Sequence, residues 1–293
     1  METLNQPEQE AKPEFVIEND QQAGIDFFIN DLFERVGGNY FNMILECHRE
    51  LRQLADKNEL TPETAREYLE RAHETKSEQI ENMINESREM WEKEGAECLS
   101  TLADYMDYTW RETDKYKAIP VLLPYCPFAG HTFYLSLDMM EEKEDILRHT
   151  IHEISHFMLF QLGKDNDIEE LDFSNREFRA LRHLFKEALT GMLLSEPKLG
   201  ELLKRPNYRG NREVHHAYIQ EGSSEPKLFR EYLREKFHKN MEAGKHFNDF
   251  LNDMITLLSP KAEEFSKRME IYNQNDLSEN PDLLKIYSEP IKV

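Results

Sequence analysis

The sequence predicts an α+β protein, predominantly α-helical, with a small β-sheet next to one central helix. Three observations carry this. Most of the chain repeats apolar residues at helical spacing, and only residues 118–138 carry convincing strand patterning. Between them and the next polar loop lies a helical run, Leu147, Ile151, Ile154, Met158 and Leu162, with His152, Glu153 and His156 set away from that apolar stripe.

That run justifies the central helix. His152 and His156 are four residues apart, so on a helix their rings share one face and can hold one metal ion. Glu153 sits a quarter turn or so around, where it can take a proton from a water without ligating the ion. Gly163 marks the expected stop.

The other elements follow in order. Residues 1–22, rich in Glu, Gln, Asn and Pro, read as a flexible tail. A helical region, 23–118, follows. Ile25, Phe28, Ile29, Leu32, Phe33 and Val36 make its first helix, closed by Gly37-Gly38; Phe41 to Leu54 make a second. Thr61-Pro62-Glu63 starts a third, with Thr as cap and Pro at the first helical position, running to about Tyr108.

Residues 119–195 form the expected core. Ala118–Leu123 and His131–Leu137 are strand segments; Pro120 and Pro124 argue for edge positions, and an edge can bind an extended peptide. Without a ligand role they would form a plain hairpin. Ser174-Asn175-Arg176-Glu177 reads as a capping box starting a helix that holds His183 and Glu187 and ends before Pro197. Residues 196–293 are a further helical region, with helices near 226–241 and 246–271 and apolar patches at Leu283, Leu284, Ile286 and Tyr287 able to dock.

Composition narrows the partners. The chain has 293 residues, 32% of them charged, and a net charge of -22, which disfavours nucleic acid and anionic membrane surfaces. No apolar run is long enough to span a bilayer. Cys47, Cys98 and Cys126 lack metal-type spacing and read as free thiols of a reducing compartment. With no charged-then-apolar leader, a cytoplasmic location is expected; the oligomeric state is open.

A catalytic zinc ion takes three protein ligands. Glu187, on a helix with small neighbours Ala188, Thr190 and Gly191, is the first choice for the third, with His183 and Glu177 as alternatives. His149 points to the same side as the ligands and reads as a histidine behind them. For a donor to a tetrahedral oxyanion, Tyr208, His215, His216 and Tyr218 are candidates, His216 and Tyr218 foremost.

His152-Glu153-Ile154-Ser155-His156, preceded by Gly130-His131-Thr132-Phe133-Tyr134-Leu135 and followed by Lys186-Glu187-Ala188-Leu189-Thr190-Gly191, resembles the zincin metallopeptidases, and most of all their gluzincin branch. The resemblance covers about residues 119–195. It departs from the pattern at Lys186, where Asn or another polar residue often stands, and at Gly191, where an acid does. It implies a two-lobed fold, a zinc cofactor, and hydrolysis of a peptide or protein substrate with Glu153 as base and proton shuttle. Two other classes compete. Glu70-x-x-His73, Glu153-x-x-His156 and Glu213-x-x-His216 fit the spacing of a di-iron carboxylate bundle. A non-enzymatic helical interaction protein with a vestigial metal site is the other.

Overall fold

The computed structural model describes residues 13–34, 36, 38–139, 143–274 and 280–293. The tail over 1–12, Gly37 of the first stop and the polar stretch 275–279 lie outside the described residues.

The protein is mostly helical with two small mixed sheets. Its helices are α1 (Gln21–Glu34), α2 (Asn39–Cys47), α3 (Arg49–Asp56), α4 (Pro62–Thr75), α5 (Ser77–Met90), α6 (Ala96–Tyr105), α7 (Lys143–Asp165), α8 (Arg179–Leu193), α9 (Pro197–Leu202), α10 (Phe229–Glu242), α11 (Phe247–Leu258), α12 (Ala262–Gln274) and α13 (Pro281–Tyr287). The strands are β1 (Glu14–Ile17), β2 (Lys115–Val121), β3 (Phe128–Ala129), β4 (Thr132–Ser136), β5 (Tyr218–Gln220), β6 (Lys227–Leu228) and β7 (Ile291–Lys292).

The larger sheet has the order β1-β2-β4-β3. β1 and β4 both run parallel to β2, and β3 returns antiparallel to β4. Three expectations are corrected here. Residues 14–17 are a strand, not part of a tail. β2 and β4 are parallel, so they are no hairpin. And β2 is internal despite Pro120, which pairs with Leu135. Lys117 N donates to His131 O on the β4 side, so by alternation the missing N–H of Pro120 faces β1. The β1 ladder has already ended there, at Ile17 opposite Ala118, and no bond is lost. The edges are β1 and β3.

The helix starts and stops show where side chains override local pattern. Thr61 caps α4 as expected, accepting from Thr64 N while Thr64 Oγ1 accepts from Thr61 N. The single helix expected over Phe41–Leu54 breaks at His48 (φ -119, ψ 83), whose ring nitrogens bond Leu122 O and Tyr68 Oη, both at 2.8 Å. The expected capping box at Ser174 does not form: Ser174 N turns to Asp172 Oδ1, Glu177 N to Asn175 Oδ1, and α8 begins only at Arg179. Gly163 lies inside α7 rather than after it. A Cβ there would stand 2.7 Å from Leu171 Cβ, so the glycine serves the close approach of the next segment.

α7 is the axis of the molecule. It packs on α5, α6 and β4 to one side and on α8 to another, and α8 packs on α10 and α12. Its stripe residues Leu147, Ile151, Ile154, Met158 and Leu162 are all buried, and so is its histidine face. Phe157 ties it to the sheet: its ring stacks on Tyr116 of β2 at 5.5 Å and meets Phe128 of β3 edge-on at 5.4 Å. The smaller sheet, order β6-β5-β7, is closed by the C-terminal strand, and Tyr287 is buried. Among the described residues no helix is long and apolar enough to cross a membrane.

Candidate metal centre

One group of at least three His, Cys, Asp or Glu side chains converges among the described residues: His152, His156 and Glu187, with their ligand atoms within 4.8 Å of one another. The histidine rings sit one turn apart on α7, centroids 4.5 Å apart. α8 crosses α7 and brings Glu187 between them. Nε2 of His152 is 3.2 Å from Glu187 Oε2, and Nε2 of His156 is 3.3 Å from Oε1. Two ligands on one tetrahedral zinc, each at about 2.0–2.1 Å, lie roughly 3.3–3.4 Å apart. The side chains already stand at about that separation.

Hydrogen bonds behind the rings set which nitrogen faces the carboxylate. Ser155 Oγ donates to His152 O at 2.7 Å, so it can only accept from Thr190 Oγ1, also at 2.7 Å. Thr190 has then spent its proton and must accept from His156 Nδ1, 3.1 Å away. The chain His156, Thr190, Ser155, His152 carbonyl thus assigns the proton of His156 to Nδ1 and leaves a lone pair on Nε2, aimed at the cluster. On His152, Nδ1 bonds Tyr208 Oη at 3.0 Å, and Nε2 again faces inward.

Glu153 Oε1 lies 3.9 Å from His152 Nε2, close to the ligands but not among them. Burial pushes its carboxyl up to about 7. Burial also opposes ionisation of Glu187, but Lys186 and then His156 outweigh it and hold that carboxyl well below the usual range. Oε2 of Glu153 and Oε2 of Glu187 are buried with no hydrogen-bond partner. Two unpaired acceptors on residues 4% and 1% exposed are costly in a protein interior. Together with the inward lone pair of His156, they make an electron-rich pocket that a cation would satisfy. The residues fit a bound metal ion.

Lys186 is the unexpected member. Its Nζ pairs with Glu187 Oε1, lies 3.2 Å from His156 Nε2, and sits 5.5 Å from the centre of the Phe128 ring. The residue is buried. Burial and this neighbouring charge hold the His156 imidazole well below its usual pKa.

Of the residues singled out from sequence, His152, Glu153, His156 and Glu187 come together. His183 turns away to Glu213 Oε1 at 2.7 Å, and Glu177 is exposed ahead of α8, so neither joins the ligands. His216 is exposed, and Tyr218 lines a small apolar cavity with Leu184, Phe229 and Phe265; no hydrogen bond or ring contact links either to the ligands among the described residues. His215 bonds Gly210 O. Tyr208 reaches the site, but as the partner of His152. His149 is mostly buried, and burial lowers its pKa to about 4. The other Glu-x-x-His pairs do not converge: Glu70 is exposed while His73 is buried, and Glu213 serves His183. Thr190 could have been found from sequence, since it follows Glu187 by three residues and shares its face; Ser155 lies inside the motif itself. No family model matches the chain, and comparisons with curated proteins and with solved structures each found no match.

Proposed function

We propose that the protein is a zinc-dependent peptidase of the zincin type, with His152, His156 and Glu187 as ligands and Glu153 as base. One observation carries it: three ligand atoms from two helices lie within 4.8 Å of one another, each histidine Nε2 3.2–3.3 Å from a Glu187 oxygen, beside a buried glutamate whose Oε2 has no partner. Two nitrogens and a carboxylate suit zinc, with a position left for water or substrate. A zinc ion held there supplies a Lewis acid that activates water and polarises a carbonyl.

The chain's own residues do the rest. Glu153 accepts the proton of the attacking water and returns it to the leaving amine, a task suited to a carboxyl whose pKa stands near neutrality. Tyr208 and Thr190 keep both ring nitrogens turned inward. β3, one edge of the sheet, carries Phe128 to within 6.1 Å of the His156 ring. An extended peptide pairing with that edge would run past the cluster.

The test is metal content followed by activity. About one zinc per chain by atomic emission is expected. Cleavage of a mixed fluorescence-quenched peptide library should stop with a chelator and with Glu153→Gln. A protein that binds no zinc, or a Glu153→Gln protein that cleaves as the wild type does, rules the proposal out.

A further inference from the structure

A peptidase needs a donor for the oxygen on which negative charge builds during hydrolysis. None of the described contacts of His216 or Tyr218 reaches the ligands, and Tyr208 is engaged with His152 Nδ1. Lys186 is at hand. Its ammonium is buried, which is costly unless the charge is used or paired. It stands against His156 Nε2 and Glu187 Oε1 and over the ring of Phe128 of the edge strand β3.

Charge bookkeeping points the same way. Glu153, Glu187 and Lys186 with a divalent ion leave one positive charge in excess, inside a site closed to water. Because the water's proton moves to Glu153, that excess is kept through the step, and the developing negative charge forms among cations.

We propose that Lys186 is the catalytic residue that stabilises the oxyanion of the scissile peptide bond; this rests on the zinc-peptidase reading above. As the water oxygen bonds to the carbonyl carbon, its proton passes to Glu153 and the C=O π pair moves onto oxygen. A Lys186 N–H donates to that oxygen and keeps its proton. The pair then returns, the C–N bond breaks, and Glu153 protonates the leaving nitrogen. A carboxyl and an amine result. Lys186 also has to leave His156 Nε2 when an ion binds, because a single lone pair serves one cation at a time. It therefore competes with the metal rather than holding it.

The test is Lys186→Met, similar in length but uncharged. Zinc affinity, by competition with a metallochromic chelator, should stay equal or tighten. Turnover of the quenched peptide library should fall by roughly 100- to 1,000-fold. Acetohydroxamate, whose oxygens mimic the oxyanion, should bind the cobalt-substituted variant at least ~10-fold more weakly, read from its visible absorption. Weakened zinc binding would assign Lys186 to holding Glu187 and overturn the proposal. So would turnover and acetohydroxamate affinity within about threefold of wild type. If Lys186→Met does not fold, Lys186→Gln decides on the same three readouts. A dead Glu153→Gln with an unaffected Lys186 variant defeats this proposal alone; an active Glu153→Gln, or a wild type without zinc, defeats the peptidase reading.

Discussion

Tyr208 Oη bonds Nδ1 of His152 at 3.0 Å, and Thr190 Oγ1 bonds Nδ1 of His156 at 3.1 Å, so each candidate histidine ligand is oriented by one hydroxyl. Hydroxyls of this kind fix ring orientation and lone-pair direction without adding charge. Tyr208→Phe and Thr190→Val keep the shape and remove the oxygen. Each is expected to weaken zinc binding by roughly 10- to 100-fold, with Thr190→Val also freeing Ser155 to seek another donor. Competition titration against a chelator measures this. Affinities equal to wild type in both variants would show that packing alone orients the rings.

Glu153 gives the metal-stripped protein a pH dependence of known sign. Its carboxyl is raised from 4.5 to about 7 by burial. Between those values the folded chain holds a proton that the unfolded chain has released, so stability falls as pH rises through this window. Glu153→Gln removes the effect. The variant should match wild type near pH 4.5 and exceed it above pH 7 by on the order of 3 kcal/mol. Thermal melting at pH 5 and pH 8 in the presence of chelator checks it. A gap between variant and wild type that narrows with pH would contradict the assigned shift.

Zinc itself should stabilise the fold, because its ligands come from two helices that the ion would join. Free zinc at about 100 times its dissociation constant contributes about 2.7 kcal/mol if the unfolded chain does not bind it. In a chain of this length that is a rise in Tm of roughly 4 °C. A chelator should reverse it, and in Glu187→Gln the rise should shrink. Calorimetry with and without zinc decides; a Tm indifferent to the ion would place binding elsewhere.

The site was legible where helical spacing fixes geometry. His152, Glu153 and His156 follow from one turn of helix, and Glu187 from a helix whose small face lets α8 approach α7. What stayed hidden depends on contacts between distant segments. Lys186 stands in sequence only as a departure from the gluzincin pattern beside Glu187; the crossing of α7 and α8 buries it. Tyr208 reads as a donor to substrate, and the loop that carries it delivers it behind His152 instead. In the fold, β3 is two residues long and has no period to detect, so the sheet's edge was assigned to β2 and β4. His48 breaks a helix that its own neighbours favour, because Leu122 O and Tyr68 offer its ring two long-range bonds.

Access to the cluster is the last relationship to test. His152, Glu153, His156 and Glu187 are each no more than 4% exposed, so a peptide needs a covering segment to move. β3 is the best placed. It is paired by a two-residue ladder, Phe128 opposite Phe133 and Ala129 opposite Thr132, extended by Tyr134 N donating to Pro127 O, and turns at Gly130 with φ +61. The segment before it is fastened by Tyr125, whose hydroxyl bonds Asp31 of α1. Tyr125→Phe removes that bond, worth about 1 kcal/mol, and should raise the open population of the strap roughly fivefold. Hydrogen exchange at Phe128 and Ala129 should then quicken by the same factor, while Ile119 and Leu135 in the sheet interior keep their protection. If exchange quickens equally across β2, β3 and β4, the sheet opens as one unit and β3 is not the gate.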